Sequence, residues 1–96
     1  MTNFSTIKIE IIDRIAILSL NRPEKLNAMN FQMIHELIDC TKDISTNEEI
    51  KCLILRGEGK AFCSGADLSS GEKKWKDTEE SLIKGYWPIF DNIISM

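Results

Sequence analysis

The stretch Leu53 to Leu68, Leu-Ile-Leu-Arg-Gly-Glu-Gly-Lys-Ala-Phe-Cys-Ser-Gly-Ala-Asp-Leu, constrains this chain more than any other. Cys52-Leu53-Ile54-Leu55 is an apolar run long enough for a buried strand. Two glycines, Gly57 and Gly59, then demand a turn. A second apolar run, Ala61-Phe62-Cys63, follows and ends at Ser64-Gly65-Ala66-Asp67. The small side chains of this tetrapeptide leave backbone N–H groups open to a ligand, and Asp67 can cap a helix beginning after it. A strand, a small-residue turn and a helix start form a place where amide dipoles meet developing negative charge. The same pattern also serves as a plain connection.

The segments before it predict what that strand pairs with. Ile7–Ile12 and Ile15–Leu20 are β-branched runs separated by Asp13-Arg14, the pattern of a tight hairpin. Ile7, Ile9 and Ile11 alternate with Lys8 and Glu10, so the first strand should bury one face. Ile15-Ala16-Ile17-Leu18 is apolar on both faces and should lie deeper, covered on both sides. Asn21-Arg22-Pro23 stops the second strand, because Pro23 cannot donate to a ladder. Glu24 to Ala28 reads as a loop. Asn30 is a plausible N-cap for a helix over Phe31–Thr46, with Met33, Ile34, Leu37, Ile38, Thr41 and Ile44 at helical spacing. Gln32, Glu36, Asp39 and Asp43 fill its polar face, with His35 beside them as a surface residue. Strand, helix, strand in this order predicts a parallel pair joined by a right-handed crossover.

The C-terminal part opens on Ser69-Ser70-Gly71-Glu72-Lys73-Lys74-Trp75-Lys76, read as a polar loop with room for one helical turn after Asp67. Asp77-Thr78-Glu79-Glu80 is a capping-box pattern. The helix it starts carries Leu82, Ile83, Tyr86, Ile89, Phe90, Ile93 and Ile94 on one broad face. Pro88 lacks an N–H, so a kink or break is expected near Lys84.

Ninety-six residues allow one domain at most. The formal net charge of −3 gives no basic footprint for nucleic acid. No apolar run approaches the length of a membrane span, and the residues after Met1 lack the pattern of a secretory signal. Cys40, Cys52 and Cys63 lack metal-type spacing; Cys40 and Cys52 read as buried thiols, Cys63 lies in the loop without a histidine base other than His35 to activate it, and a reduced, cytoplasmic protein is expected. One histidine offers no metal site.

Two segments carry a resemblance. Arg56 to Leu68, Arg-Gly-Glu-Gly-Lys-Ala-Phe-Cys-Ser-Gly-Ala-Asp-Leu, resembles the signature of the enoyl-CoA hydratase/isomerase (crotonase) superfamily. Leu20 to Met29, Leu-Asn-Arg-Pro-Glu-Lys-Leu-Asn-Ala-Met, resembles that family's other N-terminal hallmark, in the same order and with a helix between. The implied fold is α/β, the N-terminal portion of a β-β-α spiral: hairpin, helix, strand and kinked helix. Residues 1–96 would form a partial domain lacking the C-terminal part of the family domain, including the helical region used in trimer assembly. The chain would therefore be a homo-oligomer or associate with the missing part.

The resemblance also implies chemistry. The substrate would be an acyl-CoA thioester whose carbonyl sits between two backbone N–H donors that stabilise an enolate. Ala66 matches the first donor. The second donor and the family's two acid/base glutamates match nothing here, so no acid or base is assigned. Coenzyme A would lie over the Arg22–Ala28 loop and the Ser64–Leu68 segment. Arg22 and Lys25 would meet its phosphates, with Leu26, Ala28, Ser64, Gly65, Asp67 and Leu68 as wall and backbone contacts. On its own residues Asp67 reads better as a cap or loop brace. Trp87 reads as packing, whereas Trp75 suits either packing or an acyl pocket. No metal or redox cofactor is implied beyond the coenzyme A of the substrate. Hydration of a 2-enoyl-CoA is the default reaction, with isomerisation, thioester hydrolysis and decarboxylation as relatives of it. The alternative is a truncated, non-catalytic fragment that binds coenzyme A or self-associates through its apolar faces.

Overall fold

The computed structural model describes residues 3–67 and 77–96. The expected helix after Asp67, the polar stretch 69–76, Trp75 and the site residue Leu68 lie outside the described residues.

Strand β1 (Ile7–Ile12) and strand β2 (Ile15–Leu20) form the expected antiparallel hairpin, with Ile7 opposite Leu20 and Ile12 opposite Ile15. Asp13 turns the corner at φ 56°, a left-handed conformation that a short polar side chain tolerates. Strand β3 (Cys52–Gly57) joins β2 in parallel, so the sheet order is β1-β2-β3. Helix α1 (Phe31–Thr46) has the expected bounds. Its N-cap is Asn30, whose side-chain oxygen accepts the Met33 N–H at 2.9 Å.

The core lies between the sheet and α1. Ile7, Ala16, Leu18 and Leu20 meet Met33, Ile34, Leu37, Cys40 and Ile44 there. Burial of each large aliphatic side chain contributes about 1.5–3 kcal/mol. Burial and the nearby Asp43 carboxylate push the Cys40 thiol up to about 11, so it stays protonated.

Several surfaces are more open than the pattern predicts. Burial along β1 fades from Ile7 to an exposed Ile11, and Ile17 of β2 is only half-buried. The reasons differ: Ile11 lies on the core face at the far end of β1 from Ile7, whereas Ile17 points to the opposite face from Ala16 and Leu18. Strand β3 is the sheet's edge among the described residues, with Ile54 and Leu55 exposed. Cys52 is exposed rather than buried, which corrects its reading as an interior thiol.

Beyond the signature loop come helix α2 (Thr78–Ser81), a π-helical turn (Leu82–Tyr86) and helix α3 (Trp87–Ile94). The Asp77 carboxylate accepts the Glu80 N–H at 2.9 Å, as the capping pattern predicts. The expected break at Lys84 takes the form of the π turn. Pro88 offers no N–H to the Lys84 carbonyl, and the Trp87 N–H reaches back five residues to Leu82. Helix α3 packs on α1, where Asn92 Nδ2 donates to Thr41 Oγ1 at 3.0 Å and to the Ile38 carbonyl at 3.2 Å. Only part of the apolar face is covered: Ile89 is buried, while Ile83, Trp87, Phe90 and Ile94 are exposed. Among the described residues, no helix is long and apolar enough to cross a membrane.

Glu36, placed on the polar face of α1 by its spacing, has a specific task. Its Oε1 accepts the Thr6 N–H at 2.9 Å and the Thr6 hydroxyl at 2.7 Å, and the Ser5 N–H reaches both carboxylate oxygens at 3.2 Å. Burial raises its pKa, and bonds from Thr6, Ser5 and Gln32 outweigh that, so the net shift is downward. A carboxylate with a lowered folded pKa adds stability above its unfolded value, and that stability is lost as pH falls through the folded value. Urea midpoints of the native protein and Glu36→Gln should therefore differ at pH 7 and converge as the pH drops below the ordinary Glu range. A constant difference down to pH 2.5 would show that the charge of Glu36 is irrelevant.

Candidate functional site

The parallel strands β2 and β3 end side by side at Leu20 and Gly57, and the two loops they feed converge there. Open α/β sheets place ligands outside the carboxyl ends of their parallel strands. After β2 the chain makes a 3-10 turn over Pro23–Lys25, where the loop was expected to be irregular. Leu26 and Asn27 then take left-handed φ values of 53° and 57°. After β3, Gly59 turns at φ 83° against Pro23, where an added Cβ would come within 2.9 Å of the proline ring.

Asn27 joins the two loops, and the sequence reading passed over it. It is fully buried. Its Oδ1 accepts the Arg22 N–H at 2.7 Å, and its Nδ2 donates to the carbonyls of Glu58 at 2.9 Å and Ala61 at 2.8 Å. The available signal was weak: one asparagine inside a loop, among residue types that tolerate left-handed backbone.

The loops also run alongside one another. Ser64 N–H donates to the Leu26 carbonyl at 3.1 Å, Met29 N–H to the Gly65 carbonyl at 2.8 Å, and Asp67 N–H to the Met29 carbonyl at 2.9 Å. Met29 and Ala66 thus form one parallel bridge. In such a bridge the residues flanking Ala66 bond to Met29, and the N–H of Ala66 itself points to the other side. Ala66 is exposed, and its N–H meets no acceptor among the described residues. Gly65, at φ 112°, has nothing within 4 Å of where a Cβ would stand.

Arg22 departs from its expected place. Its guanidinium turns inward rather than toward a phosphate. Nη1 donates to the Ala28 carbonyl at 2.5 Å, and Nη2 pairs with Asp67 Oδ2 at 3.0 Å. The two side chains are 13% and 5% exposed, so this pair is screened from water. Asp67 is a loop brace, in line with its own-residue reading. Lys25 and Leu26 are exposed, and Ala28 is half-buried. Cys63 is half-buried and accepts the Gly65 N–H on its sulfur at 3.4 Å. Burial and the neighbouring Cys63 raise the pKa of Tyr86.

Residues 15–89 match the family model for enoyl-CoA hydratase/isomerase. A probable enoyl-CoA hydratase of Rhodobacter capsulatus is 37% identical over 93 residues, which is 97% of this chain and 35% of that protein. The 1,2-epoxyphenylacetyl-CoA isomerase of Escherichia coli is 46% identical over 52 residues, 54% of this chain and 20% of its own length. A crystal structure of an enoyl-CoA hydratase/isomerase from Mycobacterium paratuberculosis superposes with a TM-score of 0.69 at 35% identity, covering 78% of this chain and 30% of that one. The chain therefore spans about a third or less of the length of these relatives.

Asn27→Ala removes three hydrogen bonds and leaves buried backbone groups unpaired, which should destabilise the protein by about 2–4 kcal/mol. Asn27→Gly relieves the left-handed φ yet loses the same bonds, so it should recover only the backbone part, about 1 kcal/mol. Denaturant titration of both variants checks this. A glycine variant as stable as the native protein would show that the side-chain bonds contribute nothing.

Proposed function

The chain belongs to the enoyl-CoA hydratase/isomerase family, and we propose that it forms the coenzyme A-facing side of a site for acyl-CoA thioesters. In this reading the Ala66 N–H donates to the thioester carbonyl and stabilises the enolate-like oxyanion that develops on it. One observation carries the reading: the bridge turns the N–H of Ala66, an exposed residue beside a glycine, away from Met29. A bare backbone donor at the carboxyl ends of parallel strands suits a developing negative charge better than any side chain nearby.

Lys25 is the phosphate contact, acting as a point charge on a flexible stem. Leu26 and Ala28 form the wall, with Ser64 and Gly65 opposite and Leu68 following Asp67. Hydration of a 2-enoyl-CoA is the reaction proposed for the polypeptide carrying this segment, with no metal or redox cofactor. The second oxyanion donor and the acid/base groups are assigned to no residue here. The exposed apolar side chains of β3 and α3 favour a second reading alongside the first: the segment self-associates through them. The native mass of the purified chain tests this, and a strict monomer at micromolar concentration would overturn it.

The donor is tested by replacing the amide of Ala66 with an ester, which removes the N–H and keeps the side chain. Loss of one hydrogen bond to a carbonyl should weaken crotonyl-CoA binding about fivefold while free coenzyme A is unaffected. Equal affinity of ester and amide forms for crotonyl-CoA would overturn the assignment. Lys25→Ala should weaken coenzyme A and crotonyl-CoA alike, and unchanged affinity for both would remove Lys25 from the site.

A further inference from the structure

We infer that Arg22 and Asp67 are positioning residues that hold the Gly65–Ala66 peptide plane with its N–H turned away from Met29; the functional part of this inference rests on the reading of Ala66 as donor.

The plane needs holding. Its carbonyl belongs to Gly65, and glycine accepts φ and ψ values that other residues refuse. Rotation about the bonds on either side of this peptide would turn the N–H inward and the carbonyl outward. Among the described residues, no atom beyond the chain neighbours lies within 4 Å of a Cβ position at Gly65, so crowding there does not fix the plane. The restraint comes from Met29. Its N–H holds the Gly65 carbonyl at 2.8 Å, and its carbonyl holds the Asp67 N–H at 2.9 Å. A trans peptide whose carbonyl points at Met29 must point its N–H away from it.

The guanidinium of Arg22 fixes both halves of that bridge at once. Nη1 holds the carbonyl of Ala28, the residue before Met29, and Nη2 holds the carboxylate of Asp67, the residue after Ala66. Arg22 is itself anchored through its backbone N–H by Asn27. Two loops more than thirty residues apart in sequence are thereby locked in register by one planar fork. A lysine keeps the charge but cannot hold both acceptors in that geometry. Truncating one partner of a buried pair also leaves the other unsatisfied.

The test uses Arg22→Lys and Asp67→Asn with two readouts. The first is amide hydrogen exchange at Met29, whose N–H is protected only while the Gly65 carbonyl faces it. Both variants should exchange there about fivefold faster or more, while Leu18 in the central strand keeps its native protection. The second is the affinity ratio of crotonyl-CoA to free coenzyme A, which should fall in both variants with coenzyme A affinity retained. Unchanged exchange at Met29 would overturn the inference. So would faster exchange at Leu18 in both variants, because the pair would then serve folding as a whole. If the native protein shows no preference for crotonyl-CoA, the donor reading fails by itself, and exchange at Met29 still decides whether the pair holds the plane.

Discussion

The side-chain amide of Asn27 is the interaction on which the rest of the site depends. A polar side chain with no exposure to solvent must satisfy its hydrogen bonds within the protein. Asn27 does so by reaching into both loops, and each of its bonds ties down backbone that no strand or helix holds. Loops normally run over the surface because their backbone groups need partners. Here one asparagine supplies three of them, beside the bonds the two loops make to each other. Every buried side-chain nitrogen and oxygen among the described residues has a partner, which is what permits irregular backbone to pack this closely.

The Arg22–Asp67 pair builds on that anchor. Burial of an ion pair is weak evidence for stability, because desolvation offsets the attraction. Its geometry is more informative than its energy. The same guanidinium that meets Asp67 also takes the Ala28 carbonyl, so the pair specifies register between two loops. That specificity matters beside Gly65, where the backbone has little steric preference of its own. Sheet, helix and loops thus form a hierarchy. The core between β2 and α1 sets the strand ends together, Asn27 joins the loops that leave them, and Arg22 aligns what Asn27 joined.

Much of the scaffold was legible in the sequence. The bounds of α1 and its cap follow from apolar spacing behind Asn30, and the hairpin follows from two β-branched runs around Asp13-Arg14. The disturbance before Pro88 was also legible, though its form was not. A missing N–H announces that a helix must change, while widening into a π turn depends on what the flanking carbonyls can reach. Burial was read less well. Alternation along β1 and the apolar run of β3 report what a residue prefers, whereas Ile11, Ile54 and Leu55 are exposed because no described element covers them. Glu36 shows the converse: spacing put its carboxylate on the polar face of α1, and only the structure shows that it binds the chain entering β1.

The candidate site divides along the same line. The sequence by itself determined where it lies, because Gly-rich and small-residue segments at strand ends expose backbone, and two such segments carry the resemblance on which the family expectation rests. It also determined that Ala66 is small enough for its N–H to be reached. Only the tertiary structure decided which way that N–H points, since the direction comes from the bridge to Met29, over thirty residues away in the chain. Only the tertiary structure turned Arg22 inward and gave Asn27 its role. Both depend on which acceptors the packed sheet brings within about 3 Å, and no local pattern encodes that distance.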